Sequence, residues 1–321
     1  RERYVKACLE QMAEASKELE TLGSEYNLVT SYLTDMEEQD LKDYFPALGE
    51  NGCDATVTAY LADNLTEMGR DHALRPCLVI CPGGGYQYCS QREAEPIALH
   101  FLPEGFHVFI LNYSTEPHRY PTQLREAAGC MELIHQNASA WHCDVSRIAL
   151  LGFSAGGHLA AHYATSYDCA EVRAVFSDSK PVQASILGYP VITADPMWAH
   201  LGSINALTGT EQRTAEEIAK FSCDKQVRAD TPPAFLWHTA ADSTVPVANS
   251  LLYVQALAAN KIPFELHVYP FGDHGLATCD DQTLERPTAV HAYDHAWLDA
   301  AKKWLRLSFK TKANGSSAES N

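Results

Sequence analysis

A chain of 321 residues with 46% hydrophobic content is long enough for one large domain or two small ones, each with a sizeable core. Its formal charge of -17 at pH 7 repels phosphate backbones and anionic lipid surfaces, which sets aside nucleic-acid and membrane-surface binding and leaves a neutral or weakly charged small molecule as the expected partner. No uninterrupted apolar run approaches the roughly 20 residues of a membrane helix, and the N-terminus lacks a signal-like apolar stretch, so the sequence as given reads as cytoplasmic.

Residues 1–24 carry Val5, Leu9, Met12, Leu19 and Leu22 near the helical period and end on Gly23, which predicts one helix. It would pack on the domain or, in a homo-oligomer, on a partner subunit. From Asn27 to about Leu65, the pieces NLVTSYL and ATVTAYLADN, separated by acidic and Gly/Pro turns, predict antiparallel strands opening a sheet. Three apolar strand candidates follow, CLVICP, HVFILNY and RIALLGF, with the helical patterns REAEPIALHFLPEG and TQLREAAGCMELIHQNA between them. Alternation of this kind predicts an α/β class: a mostly parallel sheet covered by helices on both faces.

The alternation continues through HLAAHYATSY, QASILGYPVI, AFLWHTA, NSLLYVQALAANK, FELHVYP and HAYDHAWLDAAKKWLRL, so residues 25–308 read as one domain. Residues 193–230 interrupt it with an irregular stretch expected to form a cap or pocket wall. The polar tail, residues 309–321, is expected to be disordered. The ten cysteines are scattered, several of them inside strand-like runs, with no CxxC pair. They read as free, mostly buried thiols.

The strand RIALLGF runs into Gly152-Phe153-Ser154-Ala155-Gly156 and then a helix. In that context a Gly-x-Ser-x-Gly sequence is a sharp turn that lifts a nucleophilic hydroxyl clear of the backbone, the flanking glycines leaving room for it. Upstream, CLVIC ends in Pro82-Gly83-Gly84-Gly85-Tyr86. Such a loop can offer backbone N–H groups to an oxyanion, and Gly84 and Gly85 with Ala155 are the expected donors. A serine needs a base, and the base an acid, expected late in the chain in the order serine, acid, histidine. Asp242 follows the strand AFLWHTA, and His274 lies in the loop Phe271-Gly272-Asp273-His274-Gly275 after FELHVYP. Asp273 is a rival acid, but a neighbour in sequence reaches its own imidazole poorly.

His158 and His162 lie four apart on one helix, a zinc-binding spacing, but H-L-A-A-H lacks the glutamate of H-E-x-x-H and reads as packing, as do His291 and His295. Tyr86 beside the glycine loop and Trp198 in the 193–230 segment, which also holds His200, are candidates to line a substrate pocket.

On PGGGYQYCSQREAEPIA, FHVFILNYS, HRYPTQLREA, GFSAGGHLAAHYA, ADSTVPVANS and GDHGLA, the chain resembles the esterase/lipase-like α/β hydrolases that include bacterial acetyl-xylan esterases and other carbohydrate acetylesterases. The resemblance covers about residues 55–306. It departs from the lipase-like pattern His-Gly-Gly-Gly in having Pro82 at the histidine position. It implies the α/β-hydrolase fold, Ser154 as nucleophile, His274 as base, Asp242 as its orienting acid, and Gly84, Gly85 and Ala155 as oxyanion donors. No cofactor and no metal are expected. An acidic chain without a long apolar lid suits a small soluble ester better than a lipid, so a short-chain ester is the expected substrate, with an acetylated saccharide as the first choice. Two other readings stay open: an amide, formamide or peptide hydrolase of the same fold, and a non-catalytic binding protein built on it.

Overall fold

The computed structural model describes residues 38–49, 52–64, 66–70 and 72–315. The helix expected over residues 1–24 and the strand expected at NLVTSYL lie outside them. Eight strands form one sheet: β1 Glu38–Asp40, β2 Thr56–Tyr60, β3 Arg75–Cys81, β4 His107–Asn112, β5 Cys143–Phe153, β6 Ala184–Gly188, β7 Ala234–Thr239 and β8 Phe264–Tyr269. Their order is β1-β2-β4-β3-β5-β6-β7-β8. β2 runs antiparallel to both its neighbours, β1 and β4, and the remaining pairings, from β4–β3 to β7–β8, are parallel. This is the α/β-hydrolase fold.

The strand sequences are apolar on both faces because both faces are covered. In β3, Cys77, Val79 and Cys81 point into one core, and Leu78 and Ile80 into the other. In β5, Ile148 and Leu150 alternate with Ala149, Leu151 and Phe153 in the same way. Helices α1 Glu95–Phe101, α2 Thr122–Gln136, α3 Ser154–Ser166, α4 Leu201–Thr208, α5 Ala215–Lys220, α6 Ala248–Ala259 and α7 Ala296–Gly315 sort themselves to these faces. α2, α3 and α6 cover the first through Leu124, Leu133, Leu159, Tyr163 and Leu257, and α1 and α7 cover the second through Ile97, Phe101, Trp297 and Leu305.

Two stretches differ from expectation. HAYDHAWLDAAKKWLRL, which reads as one helix, breaks at His295 into Ala289–Asp294 and α7, and α7 continues to Gly315 instead of giving way to a tail at 309. The stripe Leu298, Ala301, Leu305, Phe309 carries the helical period past 308, and buried Phe309 packs against Phe106. The segment 193–230, expected to be irregular, holds α4, α5 and a short helix Cys223–Gln226. Thr214 and Glu217 close a capping box on α5. The segment is tied to the loop before α2 by Arg119 Nη1 donating to Ala206 O at 2.6 Å and Tyr120 N donating to Leu207 O at 2.9 Å.

Trp297 of α7 stacks on Trp237 of β7, with centroids 4.9 Å apart and planes 13° apart, and both side chains are fully buried. Trp297→Ala leaves a cavity that rigid strands on one side and α7 on the other cannot close. A loss of about 3–5 kcal/mol of unfolding free energy is expected. Urea unfolding followed by circular dichroism measures it, and a loss below about 1 kcal/mol would contradict this account of the core.

Candidate active site

The parallel strands end on one edge of the sheet, and the order reverses at β3, with β4 on one side of it and β5 on the other. Loops leaving the C-terminal ends of β3 and β5 therefore meet there, at the place where open α/β sheets bind ligands. At the end of β5, Ser154 takes a φ of 52°, left-handed backbone that a residue with a Cβ adopts only when its surroundings impose it. The surroundings do so by close approach. A Cβ on Gly152 would overlap the carbonyl of Gly156, and one on Gly156 would overlap the carbonyls of Cys81 and Pro82.

Ser154, His274 and Asp242 stand in one hydrogen-bonded line. Ser154 Oγ is 2.8 Å from His274 Nε2, and His274 Nδ1 is 2.6 Å from Asp242 Oδ2. Since a carboxylate only accepts, Nδ1 carries the ring proton, and Nε2 is left bare to receive the proton of the serine hydroxyl. Asp273 is exposed, and its carboxylate makes no bond to His274 among the described residues.

Asp242 is held on both oxygens. Oδ1 accepts the N–H groups of Thr244 and Val245, each at 2.9 Å, and Oδ2 lies 3.3 Å from Nε2 of buried His238. His238 Nε2 also faces the carbonyl of Val245 at 2.9 Å, so it carries a proton, and Nδ1 takes the hydroxyl of Ser250 at 2.8 Å. Burial of Asp242 favours its neutral form. The hydrogen bonds of His238 and His274, the charge of His274 and the Val245 N–H outweigh that and hold the carboxyl well below the usual range.

The glycine loop lies beside Ser154. Gly83 does not present its N–H to the cleft, because it donates to Glu93 Oε2 at 2.8 Å. The N–H groups of Gly84 and Gly85 make no hydrogen bond among the described residues, and both glycines line a cleft of about 220 Å³ with Ser154 and His274. Ala155, in the first turn of α3, has an N–H without an intrahelical acceptor, at the positive end of the helix dipole.

Two expected pocket residues are elsewhere. Tyr86, at a φ of 62°, turns its ring inward, is 1% exposed, and bonds its hydroxyl to His158 Nδ1 at 2.8 Å. Trp198 stands 41% exposed on the surface and is not part of the cleft wall. The wall is formed instead by Gln87, Tyr88, Ser90, Arg92, Glu93, His200 and Thr244. Of these only His200 carried a signal, its place in the 193–230 segment. His200 Nδ1 bonds Ser203 Oγ at 2.8 Å, and burial followed by the nearby His274 pushes its pKa down.

His158 and His162 prove to be interior groups. His158 spends its second nitrogen on the carbonyl of Phe221 at 2.9 Å, His162 stacks on Tyr120, and burial lowers their pKa values to about 4 and about 3. The nine cysteines among the described residues are free thiols.

Residues 65–257, more than half of the chain, match the family described as BD-FAE. The chain belongs to the BD-FAE family. It is 37% identical over 226 residues to endo-1,4-beta-xylanase B of Butyrivibrio fibrisolvens, a match covering 66% of this chain and 34% of that protein. It is 31% identical over 245 residues to the acetylxylan esterase of Xylanibacter ruminicola, covering 75% of this chain and 47% of the relative. The chain thus spans about a third to a half of the length of these curated relatives. The crystal structure of an acetyl ester-xyloside bifunctional hydrolase from Caldicellulosiruptor lactoaceticus superposes with a TM-score of 0.71 at 34% identity, covering 84% of this chain and 95% of that one. A carboxylesterase from Lactobacillus plantarum gives a TM-score of 0.71 at 31% identity, covering 84% and 96%.

The depressed pKa of Asp242 has a consequence for stability. A carboxyl more acidic in the folded than in the unfolded chain stabilises the fold above its unfolded value, near 3.8, and this contribution is lost as pH falls toward the folded value. The difference in unfolding free energy between the chain and its Asp242→Asn variant is therefore expected to shrink as pH falls below about 4. Denaturant titrations across that range test it, and a difference that widens on acidification would reverse the assignment.

Proposed function

We propose that this BD-FAE family member is a serine esterase that removes short acyl groups, acetyl first, from xylo-oligosaccharides or similar sugars. The observation that carries the proposal is the unbroken line Ser154 Oγ–His274 Nε2 and His274 Nδ1–Asp242 Oδ2 at the floor of an open cleft. In this reading His274 takes the proton as Ser154 Oγ attacks the ester carbonyl. The carbonyl oxygen, now an anion, lies among the N–H groups of Gly84, Gly85 and Ala155, each such donor being worth about 2.7–4 kcal/mol in the transition state. His274 then gives its proton to the departing sugar hydroxyl, leaving an acyl-enzyme. Water enters, loses a proton to His274 and attacks the acyl carbon. Ser154 Oγ leaves with that proton, and the acid is released.

The cleft supports the substrate class. None of the side chains lining it is aliphatic, and its volume of about 220 Å³ suits an acetyl group better than a long acyl chain. Gln87, Ser90, Thr244 and His200 offer hydrogen bonds, and the ring of Tyr88 is 61% exposed at the wall, a surface on which a sugar ring can stack. Relatives named as acetylxylan esterase and acetyl ester-xyloside hydrolase support the same choice.

Three outcomes are expected. Acetate release from acetylated xylo-oligosaccharides should exceed release from butyryl and longer esters, and a clear preference for the longer acids would overturn the acetyl assignment. Ser154→Ala should abolish covalent labelling by a fluorophosphonate probe. Asp242→Asn, which leaves the line of groups in place but puts the ring proton on the wrong nitrogen, should lower kcat by about 10⁴-fold. Folded chain that is neither labelled nor active on any ester would favour a binding protein instead.

A further inference from the structure

Glu93 belongs to the short turn Gln91–Glu93, outside every strand, and is 3% exposed. Its two oxygens accept in different directions. Oε2 takes the N–H of Gly83, at the root of the glycine loop, at 2.8 Å, and Oε1 takes the hydroxyl of Tyr189 at 2.6 Å. That hydroxyl in turn accepts the N–H of Ala277, three residues beyond His274, at 2.9 Å. The Tyr189 ring lies edge-on to the His274 imidazole, with centroids 4.9 Å apart at 68°.

One carboxylate thus joins the backbone that carries Gly84 and Gly85 to the backbone that carries His274. These segments come from opposite ends of the chain, after β3 and after β8. An apolar side chain of similar size would fill the same volume without the cost of burying a charge. What it could not do is fix direction. Burial raises the carboxyl's pKa, and the bonds from Tyr189 and Gly83, followed by the nearby charge of His274, oppose the rise. Both oxygens receive protons from donors, an arrangement suited to the ionised form.

We propose that Glu93 is a positioning residue that sets the oxyanion loop and the His274 loop in register with one another, acting through Gly83 on one side and through Tyr189 and Ala277 on the other. This rests on the esterase reading. In Glu93→Ala, Gly83 and Tyr189 lose their shared acceptor, and the two loops move independently. Glu93→Gln keeps the volume and one acceptor oxygen, and restores part of the register.

The test uses the full chain with Glu93→Ala, Glu93→Gln, Tyr189→Phe and the Gln/Phe double variant. Hydrolysis of an aryl acetate should show kcat lowered about 10- to 100-fold in Glu93→Ala with KM within about threefold, and partial recovery in Glu93→Gln. The double variant should be no worse than its worse parent, because both substitutions cut one connection. Amide hydrogen exchange should rise in residues 82–90 and 271–279 together, with 148–153 unchanged. Wild-type kcat in both Glu93 variants, or faster exchange in only one loop, overturns the proposal. Should Glu93→Ala fail to fold, Glu93→Gln and Tyr189→Phe decide by the same measurements. If the unmutated chain neither hydrolyses esters nor reacts with the fluorophosphonate, the esterase reading fails, and exchange in the two loops still decides whether Glu93 couples them.

Discussion

The first turn of α3 is pressed against the end of β3 so closely that only glycine fits between them. At Gly156 any Cβ would stand inside the carbonyls of Cys81 and Pro82, and at Gly157 it would collide with Pro190 beyond β6. Once the helix starts there, the chain leaving β5 has no room to turn gradually. Ser154 absorbs the change of direction in its left-handed φ, and its hydroxyl emerges at the sheet edge. The same contact brings the end of β3 within reach of the serine, so the loop that follows β3 lies alongside it. Small residues at the helix–sheet junction thus determine where the serine points and which backbone N–H groups it faces.

The other groups arrive from distant parts of the chain, and each is over-determined. Asp242 after β7 and His274 after β8 sit on neighbouring parallel strands, whose register fixes how far apart their loops begin. His238, the next-to-last residue of the Ala234–Thr239 strand that precedes Asp242, turns a strand residue into a support for the loop acid. The cost of holding strained backbone and buried charge here is offset by the two apolar cores on either side of the sheet, which deform little when one residue is displaced.

The elements that build the site were largely legible in the sequence because each strand is an unbroken apolar run and each covering helix a periodic one. The chain order of Ser154, Asp242 and His274 was legible for a related reason: each follows a recognisable strand, and strand ends fix positions. The residues that line the cleft were not. Tyr86 is aromatic and next to the glycine loop, yet the left-handed turn at its own α-carbon sends the ring into the core, a choice that no periodicity encodes. Glu93 reads as one more charge in REAEPIALHF, since composition does not reveal a carboxylate with both oxygens occupied inside. The run past residue 308 was missed because the polar residues beyond it obscured the one apolar position, Phe309, that keeps the helix on the core.

The inward turn of Tyr86 explains what the paired histidines of α3 do. His158 Nε2 donates to the carbonyl of Phe221, so its Nδ1 must accept, and the group that donates to it is the Tyr86 hydroxyl. One neutral imidazole, kept neutral by burial, therefore ties the glycine loop to α3 and α3 to the segment that supplies His200 to the cleft wall. His162, one turn further along, extends that union through rings, stacking on Tyr120 and meeting Phe221 edge-on. A spacing that resembles metal ligation serves instead to hold the walls of the cleft to the helix that begins with Ser154. Because both nitrogens of His158 are occupied, its loss removes two ties between these walls and α3 at once, whereas Tyr86→Phe removes only the one to the glycine loop.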